Sequence, residues 1–249
     1  LNVLTDPVWS RRTSPFTWVG PARFHAPGVA MSDLPHIDVV LISHNHFDHM
    51  DVATLQKLAY RDSPRIFAGL GNREFLERNG VTGAVDLDWW SSSDLAPGVT
   101  LTAVPVRHWS TRTRLDLRKT LWVGFVLTTS SGRIYFPGDT GFGDHFQLVR
   151  NRMGAFRLAL LPIGSFLPRW FMQDNHLSPE EAASAHRILG AQTSVAIHFG
   201  TFNLGDDSQF EARDRMQRLI DSDVDLRSSF RILEPGAGVD VPPFDGDIE

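Results

Sequence analysis

His44-Asn45-His46-Phe47-Asp48-His49 places three imidazoles and one carboxylate within six residues. The run directly follows Ile37 to Ile42, a short, β-branched apolar stretch that predicts a strand buried on both faces and ending at Ser43. Borderline divalent metals take imidazole nitrogen and carboxylate oxygen at about 2.0–2.2 Å, and one tetrahedral ion seldom draws four ligands from so short a segment. The turn therefore predicts two ions. Chance would produce this pattern in roughly one chain in a thousand of this composition, which makes a merely solvated His-rich loop the weaker reading.

Working outward, Asp51 is a plausible N-cap, and Val52, Leu55, Leu58 and Ala59 recur at helical spacing behind it. Val99 to Ala103 alternates as a half-buried strand, and Leu121 to Thr128 and Ile134 to Phe136 flank Ser130-Ser131-Gly132 as a hairpin. Leu158 to Ile163 reads as a further buried strand. Ser178-Pro179-Glu180-Glu181 combines an N-cap, a proline at the first helical position and the glutamate of a capping box, so a helix is expected from Pro179 to about Leu189. Val195 to Ile197 is another strand, ending at His198, and Phe210 to Ile220 the next helix. Mixed strands and helices with polar residues at strand ends imply α/β or α+β layering. Without repeats or a low-complexity linker, residues 1–249 are expected to form one domain.

Three further candidate ligands recur at the ends of apolar segments: His108, Asp139 within Pro137-Gly138-Asp139-Thr140-Gly141, and His198. Each alone is weak, since a glycine-flanked Asp is most often an ordinary turn residue. Together with His44, His46, Asp48 and His49 they supply seven donors. Two ions held about 3.5–4 Å apart by such a set leave room for a bridging water made acidic enough to give hydroxide near neutral pH. That is hydrolytic machinery without a side-chain nucleophile.

Composition narrows the choice. The chain has 249 residues, 42% of them hydrophobic, and no cysteine, which removes disulfides, thiolate nucleophiles, iron–sulfur clusters and thiolate-ligated zinc. Lys+Arg 24 against Asp+Glu 29 gives a net charge of −5 with no long block of one sign, so no nucleic-acid partner is expected. No apolar run approaches the roughly 18 residues that span a bilayer. Leu1 to Pro7 carries neither a secretory signal nor an initiator Met.

The sequence resembles the metallo-β-lactamase-fold hydrolases. Within them it is most similar to the N-acylphosphatidylethanolamine-hydrolysing phospholipase D family and its bacterial relatives. The resemblance runs through Leu4-Thr5-Asp6-Pro7-Val8-Trp9, the six-residue histidine motif, His108-Trp109-Ser110, Leu121-Trp122, Gly138-Asp139-Thr140-Gly141, His176-Leu177-Ser178-Pro179-Glu180-Glu181 and Ile197-His198-Phe199-Gly200. It implies an α+β four-layer αβ/βα sandwich that starts here after the family's first strands, with two zinc ions in the cleft between its sheets, manganese or iron being the alternatives. His44, His46 and His108 would hold one ion, Asp48, His49 and His198 the other, and Asp139 would bridge. Asp48, Asp139 and His176 would be the catalytic residues, His176 facing the substrate's phosphate. Arg118 stands where relatives often carry Asn. The implied substrate is a small molecule or phospholipid, met in the cytoplasm or by peripheral membrane contact.

Two other functions are compatible with the same residues. One is hydrolysis of another ester such as a phosphorylated-sugar lactone, and the other is a catalytically silent metal-binding protein. Phe166, Leu167, Trp170, Phe171 and Met172 would line a channel for acyl chains or else pack as core. His25, His36, His145 and His186 have no motif context and are expected to be structural or exposed.

Overall fold

The computed structural model describes residues 1–246; the last three positions of the expected domain 1–249 lie outside the described residues. In chain order its elements are β1 (Val3–Thr5), β2 (Val39–Ile42), α1 (Val52–Asp62), β3 (Arg65–Gly69), α2 (Asn72–Arg78), β4 (Ala84–Leu87), β5 (Ser92–Ala96), β6 (Val99–Val104), β7 (Gly124–Thr129) and β8 (Gly132–Phe136). There follow α3 (His145–Met153), β9 (Phe156–Pro162), α4 (Arg169–Met172), α5 (Pro179–Leu189), β10 (Ala191–Ile197), α6 (Glu211–Ser222), α7 (Val224–Ser229) and β11 (Phe230–Arg231).

The strands form two sheets. The smaller, in the order β1-β2-β3-β4, is parallel throughout, with Val3 to Thr5 aligned on Val39 to Leu41. The larger runs β11-β10-β9-β8-β7-β6-β5. Its β8, β9 and β10 are parallel, and β6 runs the same way because β7 is antiparallel to both β6 and β8. The strands that precede Asp6, Ser43, His108, Asp139 and His198 thus all deliver their carboxyl ends to one edge.

Three buried clusters separate four layers. Val39, Leu41, Phe67 and Leu87 of the smaller sheet meet Leu101, Ala103, Phe125 and Phe136 of the larger in the middle of the sandwich. The alternate side chains Val40, Ile42, Ile66 and Ala68 turn outward beneath Leu55 and Leu58 of α1 and Leu76 of α2. On the far side, Val126, Tyr135, Ala159 and Leu161 are covered by α3, α5, α6 and α7 through Phe146, Ala182, Met216 and Leu226. Because β2 packs on both faces, its run is continuously apolar rather than alternating. This is the four-layer αβ/βα sandwich that the resemblance implies.

Candidate metal centre

The histidine turn leaves β2 of the smaller sheet and closes on itself, with the N–H groups of His49 and Met50 both donating to the carbonyl of His46 at 3.1 and 2.8 Å. Opposite it stand the ends of three strands of the larger sheet, which carry His108, Asp139 and His198. Gly138 makes their approach possible. Its φ is +64°, and a Cβ there would lie 2.2 Å from the Cβ of Ser43, so neither the backbone nor the space admits another residue.

The donors gather in two groups. His44 Nε2 and His108 Nε2 lie 2.9 and 3.3 Å from His46 Nδ1. In the second group His49 Nε2 is 3.2 Å from His198 Nε2, 3.2 Å from Asp48 Oδ2 and 3.1 Å from Asp139 Oδ2. His198 Nε2 is in turn 3.3 Å from Asp48 Oδ2 and 3.2 Å from Asp139 Oδ1. Ligands about 2.05 Å from a tetrahedral ion stand about 3.3 Å from one another, so these separations are those of coordination shells. Asp139 Oδ2 is also 3.8 Å from His108 Nε2, which places this carboxylate between the groups.

Hydrogen bonds on the far side of the rings fix which nitrogens are free. His108 Nδ1 donates to the carbonyl of Asn175 at 3.0 Å. His49 Nδ1 donates to Asp6 Oδ2 at 2.6 Å, and the same oxygen accepts from Ser43 Oγ, itself 2.8 Å from His44 Nδ1. The Nε2 lone pairs of His44, His49 and His108 therefore point into the cluster, an outer layer of support typical of metal-binding histidines. His46 Nε2 and Asp139 Oδ1 are buried without a hydrogen-bond partner. Asp6, Ser165 and His198 all adopt left-handed φ values of 40–59°, a form of backbone strain that concentrates at functional sites.

Burial drives His44 and His108 well below the usual histidine pKa and lowers His46. Burial opposes charge on Asp48 and Asp139, but the surrounding imidazoles, His49 first for Asp48 and His198 first for Asp139, hold both well below the carboxylate range. Neutral imidazoles and ionised carboxylates are the forms that ligate metals. His49 departs from its set: despite burial, Asp139, Asp48 and Asp6 raise it well above the ordinary value, and Asp139 and Asp48 likewise raise His198. Two rings that attract protons while facing each other mark a place where the carboxylates call for positive charge. The residues fit a pair of divalent cations.

His176 stands beside this cluster, its Nδ1 3.8 Å from Asp139 Oδ2 and its ring stacked on His198 at 5.8 Å. Burial lowers its pKa to about 4. Its loop is tied to α5: Arg169 donates to the carbonyl of His176 at 3.0 Å and pairs with Glu181, the same residue that closes the capping box with Ser178.

Two cavities meet at the cluster. One, of about 320 Å³, is reached by Asp48, Asp139 and His198 and walled by Phe24, Phe199 and Phe202. The other is an open groove of about 780 Å³ along His46, Phe47, Trp109, Arg112, Arg114 and Leu117. Asp48 and Leu204 border both. The expected aromatic channel divides differently: Phe166 is wholly buried in the core, whereas Trp170 and Phe171, on α4, are 80% and 60% exposed and line neither cavity. His186 is buried and bonded to Ser194 Oγ and Ser229 Oγ, His145 is half-buried, and His36 is exposed. Asp6 lies within the Leu4 to Trp9 motif, yet neither it nor Ser43 nor Arg112 stands in a ligand pattern that marks its role in the sequence.

A four-layer sandwich with seven such donors at the mouth between its sheets defines a metal-dependent hydrolase. The chain belongs to the beta-lactamase superfamily, whose domain model matches residues 1–199. It is 34% identical over 249 residues to N-acyl-phosphatidylethanolamine-hydrolyzing phospholipase D 1 of Caenorhabditis elegans, covering 95% of this chain and 70% of that protein. To the mitochondrial N-acyl-phosphatidylethanolamine-hydrolyzing phospholipase D of Saccharomyces cerevisiae it is 33% identical over 227 residues, 89% of this chain but 48% of the yeast protein. Among solved structures, isothiocyanate hydrolase from Delia radicum gut bacteria superposes with a TM-score of 0.75 at 20% identity, over 96% of this chain and 92% of that one, a likeness of fold. No helix among the described residues is long and apolar enough to cross a membrane.

Proposed function

We propose that this protein is a dizinc phosphodiesterase of phospholipase D type acting on N-acylphosphatidylethanolamine-like lipids. His44, His46 and His108 would hold one zinc, Asp48, His49 and His198 the other, with Asp139 between. Bound there, the two cations would supply Lewis-acid charge and a hydroxide nucleophile at neutral pH. The observation that carries the reading is the convergence of seven donors at coordination spacing in a chain 34% identical to a phospholipase D of that specificity over 95% of its length.

The remaining residues divide the work. Asp6 orients His49 directly and His44 through Ser43. His176, kept neutral by burial, can donate a hydrogen bond to a non-bridging phosphate oxygen or to the departing alcohol. The smaller cavity and the apolar groove meet at Asp48, so the two halves of a diester would lie on either side of it, with acyl chains along Trp109 and Leu117. A bilayer surface presenting such lipids would be a peripheral partner. Assays of the zinc-loaded protein on bis-p-nitrophenyl phosphate, a simple lactone and an N-acylphosphatidylethanolamine test the reading. Turnover of both diesters supports it, turnover of the lactone alone replaces it with an esterase, and no turnover leaves a metal-binding protein.

A further inference from the structure

Arg112 ties the groove to the histidine turn in a manner the donor set does not itself require. It lies four residues beyond His108 in the loop between β6 and β7. Asp116 folds that loop back, its carboxylate accepting from Thr111 Oγ1 at 2.8 Å and from the N–H groups of Arg112 and Thr113 at 3.0 and 2.7 Å. The side chain of Arg112 then reaches across to the smaller sheet. There a single nitrogen, Nη1, donates to the carbonyls of Asn45 and Met50, both at 2.9 Å.

Those two carbonyls bracket His46 to His49, so one guanidinium grips both ends of the turn. The rings of Phe47 and Phe75 hold it in place, with centroids 4.0 and 4.9 Å from its central carbon. Burial lowers its pKa to about 10, which leaves it charged at neutral pH in a setting that resists charge.

We propose that Arg112 is a positioning residue for the metal centre: it sets the curvature of the turn at which His46, Asp48 and His49 converge. The inference rests on the reading of the cluster as a metal centre. It extends that reading to a residue that is not a ligand and that lies in the groove wall. Distortion of the turn would separate His46, in one donor group, from Asp48 and His49, in the other.

Competition between the protein and a chromophoric zinc chelator tests it, on samples shown by circular dichroism to be folded. Arg112→Met keeps most of the side-chain volume but neither carbonyl bond, and should bind zinc about 10–100-fold more weakly, the loss typical of an outer partner of metal ligands. Arg112→Lys, whose ammonium can still donate to both carbonyls, should recover part of that loss. Lys119→Met, an exposed cation removed from the same loop, should bind zinc like the parent. Unaltered zinc affinity in Arg112→Met, an Arg112→Lys no better than it, or an equal loss in Lys119→Met would each overturn the proposal. If the parent itself takes up no zinc, the metal-centre reading fails and takes this one with it. If the parent binds zinc and cleaves diesters while Arg112→Met matches its affinity, only this inference fails.

Discussion

Asp6 Oδ2 accepts from His49 Nδ1 at 2.6 Å and from Ser43 Oγ at 2.6 Å, so one oxygen atom supports two rings of the cluster. Replacing that carboxylate with an amide preserves shape but removes the charge that holds both bonds. Asp6→Asn should weaken zinc binding by about 10–100-fold, measured by chelator competition. An unchanged affinity would confine Asp6 to ending β1.

The protein purified without chelator should contain about two metal ions per chain, because seven donors exceed what one tetrahedral ion uses. Elemental analysis gives the number. Asp139→Asn should lose metal and rate together, since a neutral amide does not screen two neighbouring cations. Full metal content and full activity in that variant would reduce Gly138-Asp139-Thr140-Gly141 to a turn.

His176→Ala should keep both metals, as its Nδ1 lies outside the two tight donor groups at 3.8 Å from Asp139 Oδ2. Turnover of phosphodiesters should fall on the order of 10²-fold, the loss expected on removing one hydrogen-bond donor from a transition state. Lactone hydrolysis by the same variant should fall less. Equal losses on both substrates would give His176 a role unrelated to phosphate, and no loss on either would leave it without one.

Far from the cluster, burial lowers His186 to a pKa of about 4. The folded protein therefore takes up this proton less readily than the unfolded chain, whose histidines titrate near 6.5. Between those values the unfolded state binds more protons, so stability is intact above about pH 6.5 and declines towards pH 4, by at most about 3 kcal/mol from this residue. His186→Gln, still able to bond Ser194 and Ser229, should lose stability less steeply over that range. Urea midpoints at pH 7.5 and 5 decide it, and parallel curves for parent and variant would show that the ring titrates as it does in water.

What the sequence made visible was local. The six-residue turn and the Ser178–Glu181 capping box are each complete within one short stretch, and the helix Pro179–Leu189 begins where its cap requires. Contacts across long separations stayed hidden. β1 has three residues and becomes a strand only through its pairing with β2, some 36 positions away, and the same pairing brings Asp6 to His49. Asp51 stands at the N-cap of α1 as expected, yet its carboxylate accepts from the N–H groups of Trp9 and Ser10 and caps no N–H of its own helix. The strand expected from Ile37 begins at Val39, where pairing with β1 and β3 starts. The helices α2 and α3 were not anticipated.

The seven donors are distributed unevenly along the chain: four precede Met50, and the others wait at His108, Asp139 and His198. A polypeptide emerging from the ribosome would complete the His44, His46 and His108 group once the loop after β6 had appeared. The second group would stay open until β10 had been made and had carried His198 into place. Vectorial synthesis thus gives the two halves of the centre different birth times, with the carboxylate shared between them arriving in the interval.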